Sequence, residues 1–193
     1  MAGKNGVGRD LLVVGIGGSP REGSTTDGAL AMALAAAARA GARTLRFDGP
    51  FIARLPMFVP GRVEQAPEVA ELVEAVRQAD GVILASPSYH GGVAGSVKNA
   101  IDHLEALRHD RRPYLGGRAV GCLTTAGGEQ GAAATLAALR AAAHALRGWP
   151  TPLGVAITSG GLLDAAPNLD LLGRQVHWFA RACVGVNVGV ASV

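Results

Sequence analysis

Short aliphatic runs alternate along the chain with longer stretches rich in Ala and Leu. LLVVGI (11–16) reads as a strand. Ser24, Thr25 and Thr26 then stand where an N-cap belongs, ahead of an Ala-rich stretch to about Ala40 that predicts a helix. TLRF (44–47) predicts a second strand, and a long irregular loop punctuated by Pro50, Pro56, Pro60 and Gly61 follows it. From about Ala66 to Ala79, Val69, Leu72, Val73 and Val76 recur at the 3.6-residue period of an amphipathic helix. GVILAS (81–86) is the third strand; after its loop a helix is expected from about Gly95 to Leu107, with Ser96 as a candidate cap. AVGCLTT (119–125) and LGVAIT (153–158) complete the set of strands, with helices expected over Ala132 to Leu146 and Leu169 to Val184.

These strands are nearly continuous in apolar residues rather than alternating, the pattern of a parallel sheet covered on both faces. Crossovers in such sheets are right-handed, and five strands are too few for a closed eight-stranded barrel. The expected fold is therefore α/β: a flavodoxin-like, doubly wound three-layer sandwich with a five-stranded parallel sheet in the order 2-1-3-4-5. Its ligand crevice would lie at the carboxyl ends of strands 1, 3 and 4. The 193 residues suit one domain with its core at about 10–185, without repeats or an internal linker. The tails 1–9 and 186–193 are expected to be loose.

Composition narrows the function classes. Hydrophobic residues make up 49% and charged residues 17%, enough to build a core. Aromatics are only 4%, which disfavours a platform for stacking nucleic-acid bases. All the cations except Lys4 and Lys98 are Arg, scattered singly, so the net charge of +3 makes no nucleic-acid face and suits pairing with small anions. Cys122 and Cys183 lie far apart with no Cys-x-x-Cys and read as inert buried thiols, with no metal site expected. The first ten residues are polar, and the run Leu11 to Ile16 is too short for a signal core. No stretch approaches the ~20 apolar residues of a membrane span. A soluble, cytoplasmic protein without a membrane or nucleic-acid partner is expected.

The chemistry concentrates in three loops. GIGGSPREGSTT (15–26) lies between a strand and a helix, where backbone N–H groups and the helix dipole favour an anion. Gly15 and Gly17 begin a dinucleotide fingerprint, but its third glycine is replaced by Pro20. Gly18 and Gly23 have the spacing of an NTP-binding loop, but Ser24 stands where the lysine must be, which excludes it. What remains is a hydroxyl-rich loop with Ser19, Ser24, Thr25 and Thr26 as donors and Arg21 as a charged fork, suited to one terminal phosphate such as that of FMN. The same residues also read as an ordinary turn in which Ser and Thr cap the helix. After strand 3, SPSYHGGVAGSVKNAIDHL (86–104) offers Pro87 and Tyr89 as a stiff rim and Gly91 and Gly92 as bare backbone for a flat ring. After strand 4, TTAGGEQG (124–131) supplies Thr125 and further exposed N–H groups for the ring's edge.

Three segments, GSPREGST (18–25), LPMF (55–58) and PSYHGGVAGSVKNAID (87–102), resemble the NAD(P)H-dependent FMN reductase family, which includes related quinone, azo and chromate reductases. The resemblance covers roughly residues 10–160. It implies that Ser19, Arg21, Ser24 and Thr26, with Thr25 beside them, hold the phosphate of FMN. Pro87, Ser88, Tyr89, His90, Gly91 and Gly92 would line the isoalloxazine, and Thr125, Ala126, Gly127 and Gly128 would meet its pyrimidine edge. His90 and Ala94 stand where many members have Asn and Pro, and Gly92 where Ser is frequent. These departures fall on the side expected to face the electron acceptor.

The implied activity is hydride transfer from NAD(P)H to flavin and on to free flavin, a quinone or another small acceptor. The cofactor carries the difficult chemistry, so no catalytic triad is required. His90 is the candidate catalytic residue, an imidazole able to give a proton to a reduced acceptor; alternatively it edges the pocket. Arg54, Arg62, Arg111 and Arg112 are candidates for a 2′-phosphate, which would favour NADPH. Lys98 reads as a solvated helix residue or as serving the flavin edge or a partner subunit, and Asn99 and Asp102 as structural. His103, His109, His144 and His177 lack metal spacing and read as packing residues. The resemblance also implies a homodimer or homotetramer. Two other readings stand beside the reductase. One is a flavodoxin-like electron carrier, disfavoured because the sequence pI of about 9.3 is opposite to the usual acidity of such carriers. The other is a flavin-dependent tailoring enzyme for a specialised aromatic metabolite.

Overall fold

The computed structural model describes residues 10–21, 23–61 and 66–184. The tails 1–9 and 186–193 and the candidate Arg62 lie outside the described residues. In chain order the elements are β1 (Leu11–Gly17), α1 (Thr25–Arg39), β2 (Ala42–Phe47), α2 (Gly49–Ile52), α3 (Pro67–Gln78), β3 (Gly81–Tyr89) and β4 (Gly92–Val93). There follow α4 (Gly95–Asp102), a 3-10 segment (His103–Leu107), β5 (Ala119–Ala126), α5 (Glu129–Ala145), β6 (Trp149–Thr158) and α6 (Ala166–Val184).

Five strands lie parallel in the order β2-β1-β3-β5-β6, which is the expected 2-1-3-4-5 order once the short β4 is set aside. The five-strand expectation is corrected by β4, which pairs antiparallel with the end of β3 and makes the sheet six-stranded. The continuous apolar strands are explained by two cores. Leu12, Val14 and Ile16 of β1 share one core with residues of α3, α4 and α5. Leu11 and Val13 face the opposite layer, with Leu30 and Ala33 of α1 and Leu172 and Val176 of α6. The alanines of α1 permit close helix packing: a Cβ added to Gly173 of α6 would lie 2.1 Å from the Ala33 carbonyl oxygen.

Several boundaries differ for local reasons. The irregular loop contains α2, capped by Asp48, whose side chain accepts from Phe51 N, with a proline in its first turn. The helix expected to reach Leu107 tightens into the 3-10 segment after Asp102. The expected cap Ser96 lies inside α4, whose N-cap is Ala94 without a side-chain bond. β6 begins at Trp149, because Pro150 and Pro152 fall on a sheet edge where a missing N–H is tolerated. At the amino ends of the strands, remote from the carboxyl-end loops, Arg118 is buried. Its guanidinium donates to the carbonyls of Arg77 (2.8 Å), Tyr114 (2.9 Å) and Ala79 (3.1 Å). Burial pulls its pKa down to about 10.

Candidate active site

β1 ends on a close approach to β3. At Gly17 (φ 139°) a Cβ would lie 1.8 Å from the Ala85 carbonyl oxygen, so only glycine fits there. Ser24 is the N-cap of α1, and its Oγ accepts from Asp27 N at 3.1 Å. Sequence reasoning missed Asp27. Its Oδ2 accepts from Ser24 Oγ at 2.5 Å and from Ser19 N at 3.4 Å, and its Oδ1 accepts from Gly49 N at 3.1 Å. A carboxylate of the same chain thus sits among the groups expected to receive phosphate. The Ser-x-x-Asp spacing from Ser24 to Asp27, close to that of a capping box, was the available signal.

Side-chain bonds draw the three glycine-rich loops together. Ser19 Oγ and Tyr89 OH lie 3.3 Å apart, and Thr26 Oγ1 and Thr125 Oγ1 lie 2.5 Å apart in a buried clasp. Ser88 Oγ donates to the Gly131 carbonyl at 3.0 Å and accepts from Thr135 Oγ1 at 2.8 Å, tying the hairpin to α5. Pro87 is buried inside β3, paired with Thr125, rather than standing on a rim. The exposed rim is formed by Tyr89 and His90.

Ser88 pairs with Val93 and Tyr89 with Gly92, leaving His90 and Gly91 as a two-residue loop. Their φ values are 54° and 77°, the positive pair that a type I′ hairpin requires. The backbone therefore explains the residue type at position 90: His, like Asn, enters the left-handed region more readily than most side chains. A Cβ added to Gly91, Gly127 or Gly128 meets no heavy atom within 4 Å. Bare backbone on two adjacent loops faces open space, as a flat ring with polar edges needs.

The groups present fit a flavin mononucleotide. Arg21 is exposed and has no ion pair among the described residues. The N–H groups of Thr25 and Thr26 open α1, where helix geometry provides no acceptor. A cleft of about 470 Å³ also opens at the start of α1, reaching Arg46, Asp48 and Pro50 on the β2 side. Arg46 is 3.7 Å from Asp48 there.

Other candidates fall outside this convergence. Lys98 is paired with Asp102 at 2.7 Å on the exposed side of α4. Asn99 accepts from Phe58 N at 2.8 Å and donates to the Pro56 carbonyl at 2.9 Å; His103 Nε2 reaches that same carbonyl at 2.9 Å. Both residues thus hold the LPMF segment in place. Arg112 is at the opposite end of the sheet, 3.9 Å from buried Asp80, with exposed Arg111 next to it. Arg54 donates to the Pro50 carbonyl at 3.2 Å. His109 and His144 are exposed. His177 is buried, neither ring nitrogen has a partner among the described residues, and burial lowers its pKa. Burial also pushes the Cys122 thiol up to about 12, which leaves it unreactive, and raises that of Cys183. Among the described residues no three His, Cys, Asp or Glu side chains are grouped to hold a metal, and no helix is long and apolar enough to cross a membrane.

The chain is similar to the quinone reductase of Escherichia coli (strain K12), 39% identical over 100 residues that cover 50% of this chain and 52% of that protein. It is also similar to an NADPH azoreductase of Bacillus sp. (strain OY1-2), 36% identical over 63 residues that cover 33% of this chain and 32% of that protein. The alignments therefore span between a third and about half the length of these curated relatives. Among solved structures, an NADH:FMN oxidoreductase in its apo form shares the fold with a TM-score of 0.72, at 24% identity and 93% coverage of both chains. The model of the NADPH-dependent FMN reductase family matches residues 11–161. With that match extending from β1 past β6, the chain belongs to the NADPH-dependent FMN reductase family.

Proposed function

We infer that the protein is an FMN-dependent NAD(P)H oxidoreductase that accepts hydride from NAD(P)H and passes electrons to a small diffusible acceptor, free flavin or a quinone. The observation that carries this reading is the meeting of three loops at the carboxyl ends of β1, β3 and β5, joined by the Ser19–Tyr89 and Thr26–Thr125 bonds. Unoccupied space lies over the glycines of two of them. This is the crevice where open α/β sheets bind ligands.

In this reading Arg21, the N–H groups of Thr25 and Thr26, and the hydroxyls of Ser19, Ser24, Thr25 and Thr26 hold the flavin phosphate. Gly91 and Gly92, with Ser88, Tyr89 and His90, line the ring. Thr125, Ala126, Gly127 and Gly128 present backbone groups to its polar edge, and Pro87 supports the floor from within β3. Bound FMN supplies the two-electron chemistry that side chains lack. The residues of this chain have the simpler tasks of anchoring an anion, fixing the plane of a ring and leaving one side open beside Tyr89 and His90. His90, exposed at the hairpin tip, is the group available to give a proton to a reduced acceptor.

The proposal includes one FMN-binding domain over about residues 10–185 and a preference for NADPH, for which exposed Arg54 is, of the candidates Arg54, Arg62, Arg111 and Arg112, the described one near the carboxyl ends. It includes a homodimer or homotetramer, supported by the exposed apolar side chains of Met57, Val59 and Tyr89. A cytoplasmic location is supported by two free cysteines, which suit a reducing compartment. The test is NAD(P)H oxidation by purified protein supplied with FMN and a quinone. Sustained, flavin-dependent turnover is expected; no turnover with bound flavin indicates an electron carrier, and no flavin binding removes the reading.

A further inference from the structure

We propose that Asp27 acts as an internal anion of the phosphate cup, weakening capture of a phosphorylated flavin so that FMN exchanges as a substrate instead of residing as a prosthetic group. The inference rests on the assignment of residues 19–26 to the flavin phosphate. Ser24 has a single hydroxyl proton, and it points to Asp27 Oδ2 at 2.5 Å, while the same Oγ accepts from Asp27 N at 3.1 Å. The Ser19 N–H leans toward that carboxylate oxygen at 3.4 Å. Two donors of the cup are thereby turned to an anion the chain already carries.

The carboxylate is held from behind as well. Its other oxygen accepts from Gly49 N at 3.1 Å, at the start of α2. Gly18 is packed against it so closely that a Cβ there would lie 2.0 Å from Asp27 Oδ1. An incoming phosphate must draw Ser24 and Ser19 away from an anchored carboxylate, or rely on Arg21, Thr25 and the first-turn N–H groups beside it. In both cases two like charges share one cup, which disfavours the charged ligand. The uncharged ring and ribityl chain do not feel this penalty. The signature is therefore a compressed difference in affinity between FMN and riboflavin, which differ only in the phosphate.

The test compares wild-type protein with D27N, which keeps an oxygen for Gly49 N, and with D27S, a second neutral residue suited to the first helical turn. Equilibrium titrations with FMN and with riboflavin, read by flavin fluorescence, give the dissociation constants; thermal melting reports on folding. Removing the charge is expected to tighten FMN binding roughly tenfold in both variants and to leave riboflavin within about twofold of wild type. FMN release on dilution slows in step. Unchanged or weaker FMN binding, or an equal gain for riboflavin, overturns the proposal, because the carboxylate would then organise the loop instead of competing with the ligand. Failure of wild type and variants alike to bind either flavin is a different result: it removes the flavin reading itself, and the inference with it.

Discussion

The contact that most directly couples fold to site is the clasp between Thr26 at the start of α1 and Thr125 at the end of β5. The two hydroxyls are 2.5 Å apart, with Thr26 2% and Thr125 9% exposed. Thr26→Val keeps the shape of the side chain and removes its hydroxyl, leaving the Thr125 hydroxyl without its partner. Such an orphaned buried group costs about 1–3 kcal/mol, and Thr125→Val is expected to fall in the same range. Removing both hydroxyls leaves two apolar groups of matching shape, so the double variant should lose clearly less than the sum of the singles. The expected coupling is about 1–2 kcal/mol. Urea unfolding followed by circular dichroism measures all four corners of the cycle. In the pair one hydroxyl donates to the other, so one proton remains for a ligand; the double variant is therefore expected to fold well yet bind FMN about tenfold more weakly. Strictly additive single effects would refute the reasoning, because the two loops would then not be joined through these hydroxyls.

Three further outcomes follow from the structure. His90→Asn should preserve the hairpin and its stability within about 0.5 kcal/mol, whereas His90→Val should lose more than about 1 kcal/mol at the positive φ. If the imidazole gives the proton to the acceptor, His90→Asn also loses turnover on the order of a hundredfold with FMN affinity retained; unchanged turnover would leave His90 a hairpin residue only. Arg118→Met removes the buried guanidinium that donates to the carbonyls of Arg77, Tyr114 and Ala79 and should cost about 3 kcal/mol or more by denaturant unfolding; a loss under about 1 kcal/mol would contradict the account. His177, buried with its pKa below the ordinary 6.5, is neutral in the fold, so the unfolded chain takes up the proton first. Its contribution is complete above pH 6.5 and is lost as pH falls toward the depressed folded value, by up to about 1.4 kcal/mol per pH unit. His177→Met should flatten that part of the stability profile, and an unchanged slope would assign it to other groups.

The sheet was legible because its signal is local. A parallel strand covered on both sides must be apolar at every position, as Leu11 to Ile16 and Gly81 to Ala85 are, and right-handed crossovers leave few topologies for five such strands. The glycine and hydroxyl loops were legible for the same reason, being continuous in sequence. What escaped was non-local or short. β4 is two residues long, and it becomes a strand only because the His90–Gly91 turn folds it back on β3. The partners Ser19 and Tyr89, and Thr26 and Thr125, are separated by 70 and 99 positions, and no spacing rule joins them. Pro87 reads as a loop residue, yet the β3 ladder carries it into the core. Asp27 carried a capping signal, but its reach to Gly49 depends on α2 folding under the loop. Arg112, read as a candidate phosphate ligand, belongs with Asp80 at the amino ends of the strands, which charge alone does not reveal.

The claim on which the account depends is that a flavin lies across the three loops with its phosphate at the start of α1. A crystal structure of the protein with FMN tests it directly. The account predicts phosphate oxygens within hydrogen-bonding distance of Arg21 and of the Thr25 and Thr26 N–H groups, with the ring over Gly91 and Gly127. An isoalloxazine ring lying between Arg46 and Asp48 instead of over Gly91 and Gly127, or a phosphate remote from α1 at saturating FMN, would contradict it.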